Sequence, residues 1–250
     1  TPHDFVEIDD VVYFVADDGE AGMELWKSDG SLGGTELVKD ICTGCSANPA
    51  HLTAAGNTLF FQATDNANGT ELWKSDGTES GTVLVRDVRP GGVGSFPQEL
   101  AAVGNSVYYR AQDGATGYEL WKSDGTSAGT VQVKDIFPGA TSSTPTDLTV
   151  VGTTVFFRAN DGSSGTELWK SNGTFSGTVR VKDINGGTGS SSPSSLFAFG
   201  STLYFGAYTP STGVELWKST GTSSGTVQIM EINPGSAPSS PMGFVEMNGI

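Results

Sequence analysis

The chain has little with which to do covalent or redox chemistry. Its 250 residues include only two histidines, His3 and His51, and two cysteines, Cys42 and Cys45. One histidine lies in the N-terminal tail and the other in a loop, so neither a Ser-His-Asp triad nor a histidine metal cluster is assembled from this sequence. Positive charge is scarce too: 13 Lys and Arg stand against 28 Asp and Glu, a formal net charge of −15. Such a surface repels phosphate backbones and anionic headgroups, which excludes nucleic acid as a partner. No apolar run reaches the roughly 18 residues of a membrane-crossing helix, so no membrane insertion is expected, and no charged, hydrophobic leader is visible. Phosphate cradles of the GxxxxGK[ST] or GxGxxG type are missing, and the glycine-rich "NGGTGSSS" at 185–192 follows a strand pattern and reads as a loop.

What is abundant is glycine, 35 residues of it, with only 36% of positions apolar. That composition suits many short strands joined by tight turns and leaves little room for long helices. The organising feature is a repeat. The tripeptide ELW begins at Glu24, Glu71, Glu119, Glu167 and Glu215, spacings of 47, 48, 48 and 48 residues. Within one unit, residues 52–55, 58–63, 70–75 and 82–88 read as strands. Gly56-Asn57 suits a two-residue hairpin, and "DNANG" and "DGTESG" supply glycine where loops need positive φ. Four antiparallel strands per repeat follow.

Strand alternation sends Leu72 to one face and Trp73 to the other, and splits Phe60 from Phe61 in the same way. A sheet apolar on both faces needs cover on both, which stacking against neighbouring repeats supplies. The expectation is an all-β, five-bladed β-propeller of four-stranded blades, a single domain over residues 1–250. "ELWKSDG(T/S)" followed by "GT" and "VKDI" resembles the ELWxxDGT repeats of bacterial secreted or surface proteins. The resemblance covers nearly the whole chain and implies a propeller-like fold in an exported protein; it carries no catalytic motif. The motif decays toward the end, from "KSDG" to "KSNG" and "KSTG", and from "VKDI" to "IMEI". Asp, Asn and Thr interchanging beside glycine points to turn geometry rather than a metal ligand.

Trp26, Trp73, Trp121, Trp169 and Trp217 are read as structural wedges between blades in preference to sugar-stacking platforms. The five ELW glutamates are read as satisfying edge or turn amides, or pairing with repeat lysines such as Lys74, in preference to glycosidase chemistry, because equivalent copies offer no asymmetry between acid and base. Asp18, Asp65, Asp113 and Asp161 cap "A-x-D-G" turns, with calcium a possible alternative and no other cofactor expected. Cys42 and Cys45 form a local disulfide, with free thiols and a redox or metal role as the alternatives. The variable connections contribute His51, Phe96 and Phe137, and with Tyr118 these are the candidate ligand contacts.

The ends hold six first strands for five ELW units: residues 5–14 and residues 243–250 both match the start of a repeat. Either the chain is cut from a longer array, the favoured reading, or residues 243–250 form a ring-closing strand. The functional expectation is a non-enzymatic extracellular or cell-surface module for multivalent binding of a glycan or protein, similar in size and blade count to tachylectin-like lectins. The alternatives are a building block of an extracellular array, self-associating through a terminal strand, and a glycoside hydrolase.

Overall fold

The computed structural model describes residues 1–247. The first blade comprises β1 (His3–Ile8), β2 (Val11–Asp17), β3 (Met23–Ser28) and β4 (Thr35–Lys39), and the second β5 (Ala50–Ala55), β6 (Thr58–Asp65), β7 (Gly69–Ser75) and β8 (Val83–Arg86). The third comprises β9 (Gln98–Val103), β10 (Ser106–Gln112), β11 (Tyr118–Ser123) and β12 (Val131–Lys134). The fourth follows with β13 (Thr146–Val151), β14 (Thr154–Asn160), β15 (Thr166–Ser171) and β16 (Val179–Lys182), and the fifth with β17 (Ser194–Phe199), β18 (Thr202–Thr209), β19 (Gly213–Ser219) and β20 (Val227–Met230). Each blade is a four-stranded sheet in chain order, and no helix occurs among the described residues. The all-β class and the five-bladed propeller-like arrangement expected from the repeat are what the chain adopts. Thr1–Gly117 with Trp121–Gln132 form one compact unit, which holds the first two blades, and Tyr118–Leu120 with the chain from Val133 onward form another, which holds the last two.

Local chemistry explains the strand limits. The last strand of the second blade ends at Arg86, short of the 82–88 read from the sequence, because the register slips between Leu72 and Trp73. Beyond that bulge the Val88 amide leaves the ladder and donates to the Glu71 carboxylate. Within each "SDGT" turn, Ser and Thr hydroxyls bridge the two flanking strands, as in Ser75 to Thr82 at 2.7 Å and Ser171 to Thr178 at 2.8 Å.

The two faces of a blade pack in opposite directions. Leu59, Phe61, Ala63 and Trp73 join Tyr13, Val15, Leu25 and Val38 of the first blade, whereas Phe60, Leu72 and Val85 join Val107, Tyr109 and Trp121 of the third. Trp73 and Phe61 are cross-strand partners on one of these faces. Burying an indole removes about 150–250 Å², worth roughly 4–6 kcal/mol gross at about 25 cal/mol per Å². That gain exceeds the roughly 1–3 kcal/mol charged for the unpaired indole N–H that recurs in all five tryptophans.

A cation bridges each of four blade junctions. Lys39 Nζ donates to the Thr82 carbonyl at 2.9 Å, Arg86 Nη1 to Thr130 at 2.6 Å, Lys134 Nζ to Thr178 at 2.9 Å and Lys182 Nζ to Thr226 at 2.8 Å. Lys134 and Lys182 also lie 5.9 and 5.7 Å from the centroids of Trp169 and Trp217 in the following blade. The turn glycines belong to the same junctions: a Cβ on Gly125 would stand 3.2 Å from the Phe60 ring, and its φ of +83° is itself unsuited to other residues.

Candidate functional site

The five ELW glutamates are fully buried. From the third strand of its blade, each carboxylate reaches the connection that leaves the same blade. Glu119 accepts from the Ile136 and Ser143 amides, both at 2.8 Å, and from the Ser143 hydroxyl at 2.6 Å. Glu167 repeats this with Ile184 (2.9 Å), the Ser191 amide (2.7 Å) and the Ser191 hydroxyl (2.6 Å). Glu71 takes Val88, Arg89 and the Ser95 hydroxyl, and Glu24 takes Ile41 and Ala47. Burial pushes Glu71 and Glu119 up to about 7, against the hydroxyl and amide donors that pull them down. At Glu215 burial also raises, but the Ser239 hydroxyl and the Ile232 amide outweigh it and hold the carboxyl below its ordinary value.

A carboxyl near neutrality is what acid–base catalysis uses. Here the carboxylates are buried and bonded to the amides and serine hydroxyls of the departing connection, with Glu215 Oε1 alone left without a partner, so the glutamates fasten connections. The lysine pairing considered for them goes elsewhere: Lys27 pairs with Glu36 at 3.0 Å. Sequence reading missed the serine partners. Ser95, Ser143, Ser191 and Ser239 each lie 24 residues after their glutamate, a fixed position inside connections that otherwise vary. The first repeat is one residue shorter and has Ala47 in the matching place, 23 residues after Glu24, and in its connection Cys42 and Cys45 are joined in a disulfide.

The turn aspartates spend their Oδ1 atoms on their own loops. Asp18 accepts from Glu20 and Ala21 at 2.9 and 2.8 Å, Asp65 from Ala67 and Asn68 at 2.9 and 2.6 Å, and Asp113 from Ala115 and Thr116, both at 2.8 Å. Asp161 accepts from Ser163 and Ser164 at 2.9 and 2.8 Å. The desolvation of Asp161 is overcome by these donors, which bring its carboxyl down to about 2. Thr209 takes the same place in the fifth blade, accepting from the Thr212 amide at 3.2 Å. Among the described residues no group of three or more His, Cys, Asp or Glu side chains is placed to hold a metal ion.

The four candidate contacts are each engaged within the fold. His51 is exposed on β5 with φ of 59°, and its carbonyl accepts from the Thr53 hydroxyl. Phe96, half-buried with φ of 52°, donates its amide to the Thr70 carbonyl. Tyr118 is half-buried, and its amide donates to Ser142 Oγ at 2.9 Å. The Phe137 ring lies over Gly162 in a turn of the next blade.

Open, repeated surface chemistry lies instead along the "KSDG" turns. One cleft of about 280 Å³ is lined by Phe156, Lys170, Thr220 and Gly221, with Val151 and Gly152 at its side. A second, of about 380 Å³, is lined by Tyr13, Lys27, Asp76, Gly77 and Thr78. The two are built alike: an aromatic ring from the second strand, a lysine from the third, and the polar turn of the following blade. Lys27 Nζ donates to the Gly77 carbonyl at 2.8 Å across the cleft. Burial raises the Tyr13 hydroxyl above its ordinary value.

No protein-family model matches the chain, and no curated protein matches it in sequence. Solved structures do resemble it in fold. A puromycin hydrolase S511A mutant complexed with PGG is 15% identical, with a TM-score of 0.55 over 96% of this chain and 38% of its own. A structure of prolyl endopeptidases is 14% identical, TM-score 0.56, over 87% of this chain and 32% of its own. The acylaminoacyl peptidase of Pyrococcus horikoshii is 9% identical, TM-score 0.50, over 91% and 38%. The chain therefore spans well under half the length of these three structures. These likenesses correct the functional expectation. The structures just described are peptidases, and the lectin-like binding module is set aside, together with the extracellular array and the glycoside hydrolase offered as its alternatives. The lectin analogy rested on size and blade count, which many propellers share. Of the tryptophans that would have stacked sugars, Trp73, Trp121 and Trp217 are packed between blades.

Proposed function

We propose that the chain is a non-catalytic, peptide-contacting propeller module of a peptidase-type protein, and that it keeps the ELWxxDGT repeat as its scaffold. The observation that carries this reading is the repeated cleft, in which ring, ammonium and turn hydroxyl recur in the same order. An extended peptide offers matching groups: a side chain for the ring and backbone carbonyls for the lysine and the threonine. The fold likeness to peptidases supports the choice of peptide as ligand class. The Cys42–Cys45 disulfide supports an oxidising, extracytoplasmic setting.

The test is titration with short proline-containing and acylated peptides, followed by amide chemical shifts. Saturable shifts at the Phe156–Lys170 cleft are expected, with a dissociation constant on the order of 0.1–1 mM for so shallow a site. Lys170→Ala weakens them and leaves the melting temperature unchanged. Shifts scattered over the surface, or hydrolysis of the peptides by the chain alone, contradict the proposal.

A further inference from the structure

We propose that the outer face of the fifth blade is the seat for one more blade of the same repeat type, reached through Ser240 and residues 243–247. In the first three blades the two apolar residues at the outer edge are buried, Val38 and Ile41, Val85 and Val88, Val133 and Ile136, and in the fourth Val181 is 6% exposed with Ile184 half-buried. Their counterparts in the fifth, Ile229 and Ile232, are 43% and 52% exposed. Between them stand Glu231 and Met230, the latter where the other blades carry the lysine or arginine that grips the next turn. A row of isoleucine, methionine and isoleucine in water is a face without its cover.

The connection beyond that face is already shaped to deliver the cover. Four connections place a left-handed residue before proline and another three positions later: Asn48 and His51, Phe96 and Glu99, Thr144 and Asp147, Ser192 and Ser195. After the fifth blade the same two positions are Ser240 (φ 49°) and Gly243 (φ 68°), with Pro241 between them. The Ser240 amide donates to the Val214 carbonyl, as the Ser192 amide does to Thr166. Phe244 stands at the repeat position of Leu52, Leu100, Leu148 and Leu196, and its ring meets Phe197 of β17 at 5.9 Å. One acceptor is in place as well. The carbonyls of Ala47, Ser95, Ser143 and Ser191 each accept an amide from the second strand of the next blade, at 2.8 to 3.0 Å. The equivalent donor to Ser239 belongs to the sixth blade. Residues 248–250, where the notional hairpin turn falls, lie outside the described residues. The occupant is therefore a blade with the leucine, phenylalanine and tryptophan face of this repeat, held by apolar contact without the cation grip.

Thiol labelling tests this, since Cys42 and Cys45 are joined. Ile229→Cys is made in the 250-residue chain and in a version continued after Met247 by a copy of residues 104–147. Labelling is expected to be fast in the former and at least about tenfold slower in the latter, which also melts higher, with both monomeric by light scattering. Unchanged labelling, or an added repeat that stays unfolded beside five folded blades, overturns the proposal. So does slow labelling in the 250-residue monomer, which puts its own first blade on the seat, and labelling that slows with concentration, which puts a second copy there.

Discussion

The fourth and fifth blades share nearly every internal device and differ where a neighbour is needed. In both, Ser and Thr hydroxyls bridge the turn, at 2.8 Å for Ser171 and Thr178 and 2.7 Å for Ser219 and Thr226. Both pack a tryptophan to the inside, and both use a buried glutamate to hold the departing connection. Yet Val181 is buried and Ile229 is not, and Lys182 grips the following turn where Met230 has nothing to give. The glutamates respond to this difference: burial dominates at Glu167 and raises it, whereas at Glu215 the donors win and lower it. A blade thus builds its own turns and hydrogen bonds, but its outer apolar face is completed by the next one, the nearest-neighbour energetics of repeat proteins.

Substitutions that press on this contrast rank by size. Val181→Asp leaves a charge in the closed junction and is expected to cost more than about 3 kcal/mol in urea unfolding, whereas Ile229→Asp stays within about 1 kcal/mol. Glu119→Ala strips the Ile136 and Ser143 amides of their acceptor, an expected loss of about 2–3 kcal/mol by the same measurement. Lys182→Met, which copies the fifth blade into the fourth, removes one charged hydrogen bond and is expected to cost about 1.5–2 kcal/mol.

The smallest effect is on pH dependence. Glu71 and Glu119 are raised from 4.5 to about 7, so between those values the folded chain holds protons that the unfolded chain has released. Their contribution to stability is fully present below about 4.5 and is lost as pH rises through 7. Urea midpoints are expected to fall from pH 5 to pH 8, with a smaller fall in the Glu71→Gln, Glu119→Gln double variant.

What the sequence made legible is what repeats at short range. The 48-residue period, the hairpin glycines and the alternation of Phe60 with Phe61 led directly to four-stranded blades with strand limits within a few residues. The turn aspartates were legible because Asp-Gly chemistry is local. The connecting serines were not, since a glutamate-to-serine bond across 24 residues has no local pattern, and the serines sit among residues that change from copy to copy. The cation grip was hidden for the same reason: Lys134 reaches a carbonyl 44 residues away, which only the stacked blades bring near. Loop aromatics looked exceptional because the repeat did not dictate them, and Phe137 shows that such residues serve as packing anchors over the next turn.

Hydrogen exchange at single-residue resolution measures the central claim, that a neighbour completes each blade. The account expects the amides of β16 to exchange only with wide opening of the molecule, and those of β20, behind an uncovered face, at least about a hundredfold faster. Equal protection in the two strands would contradict it.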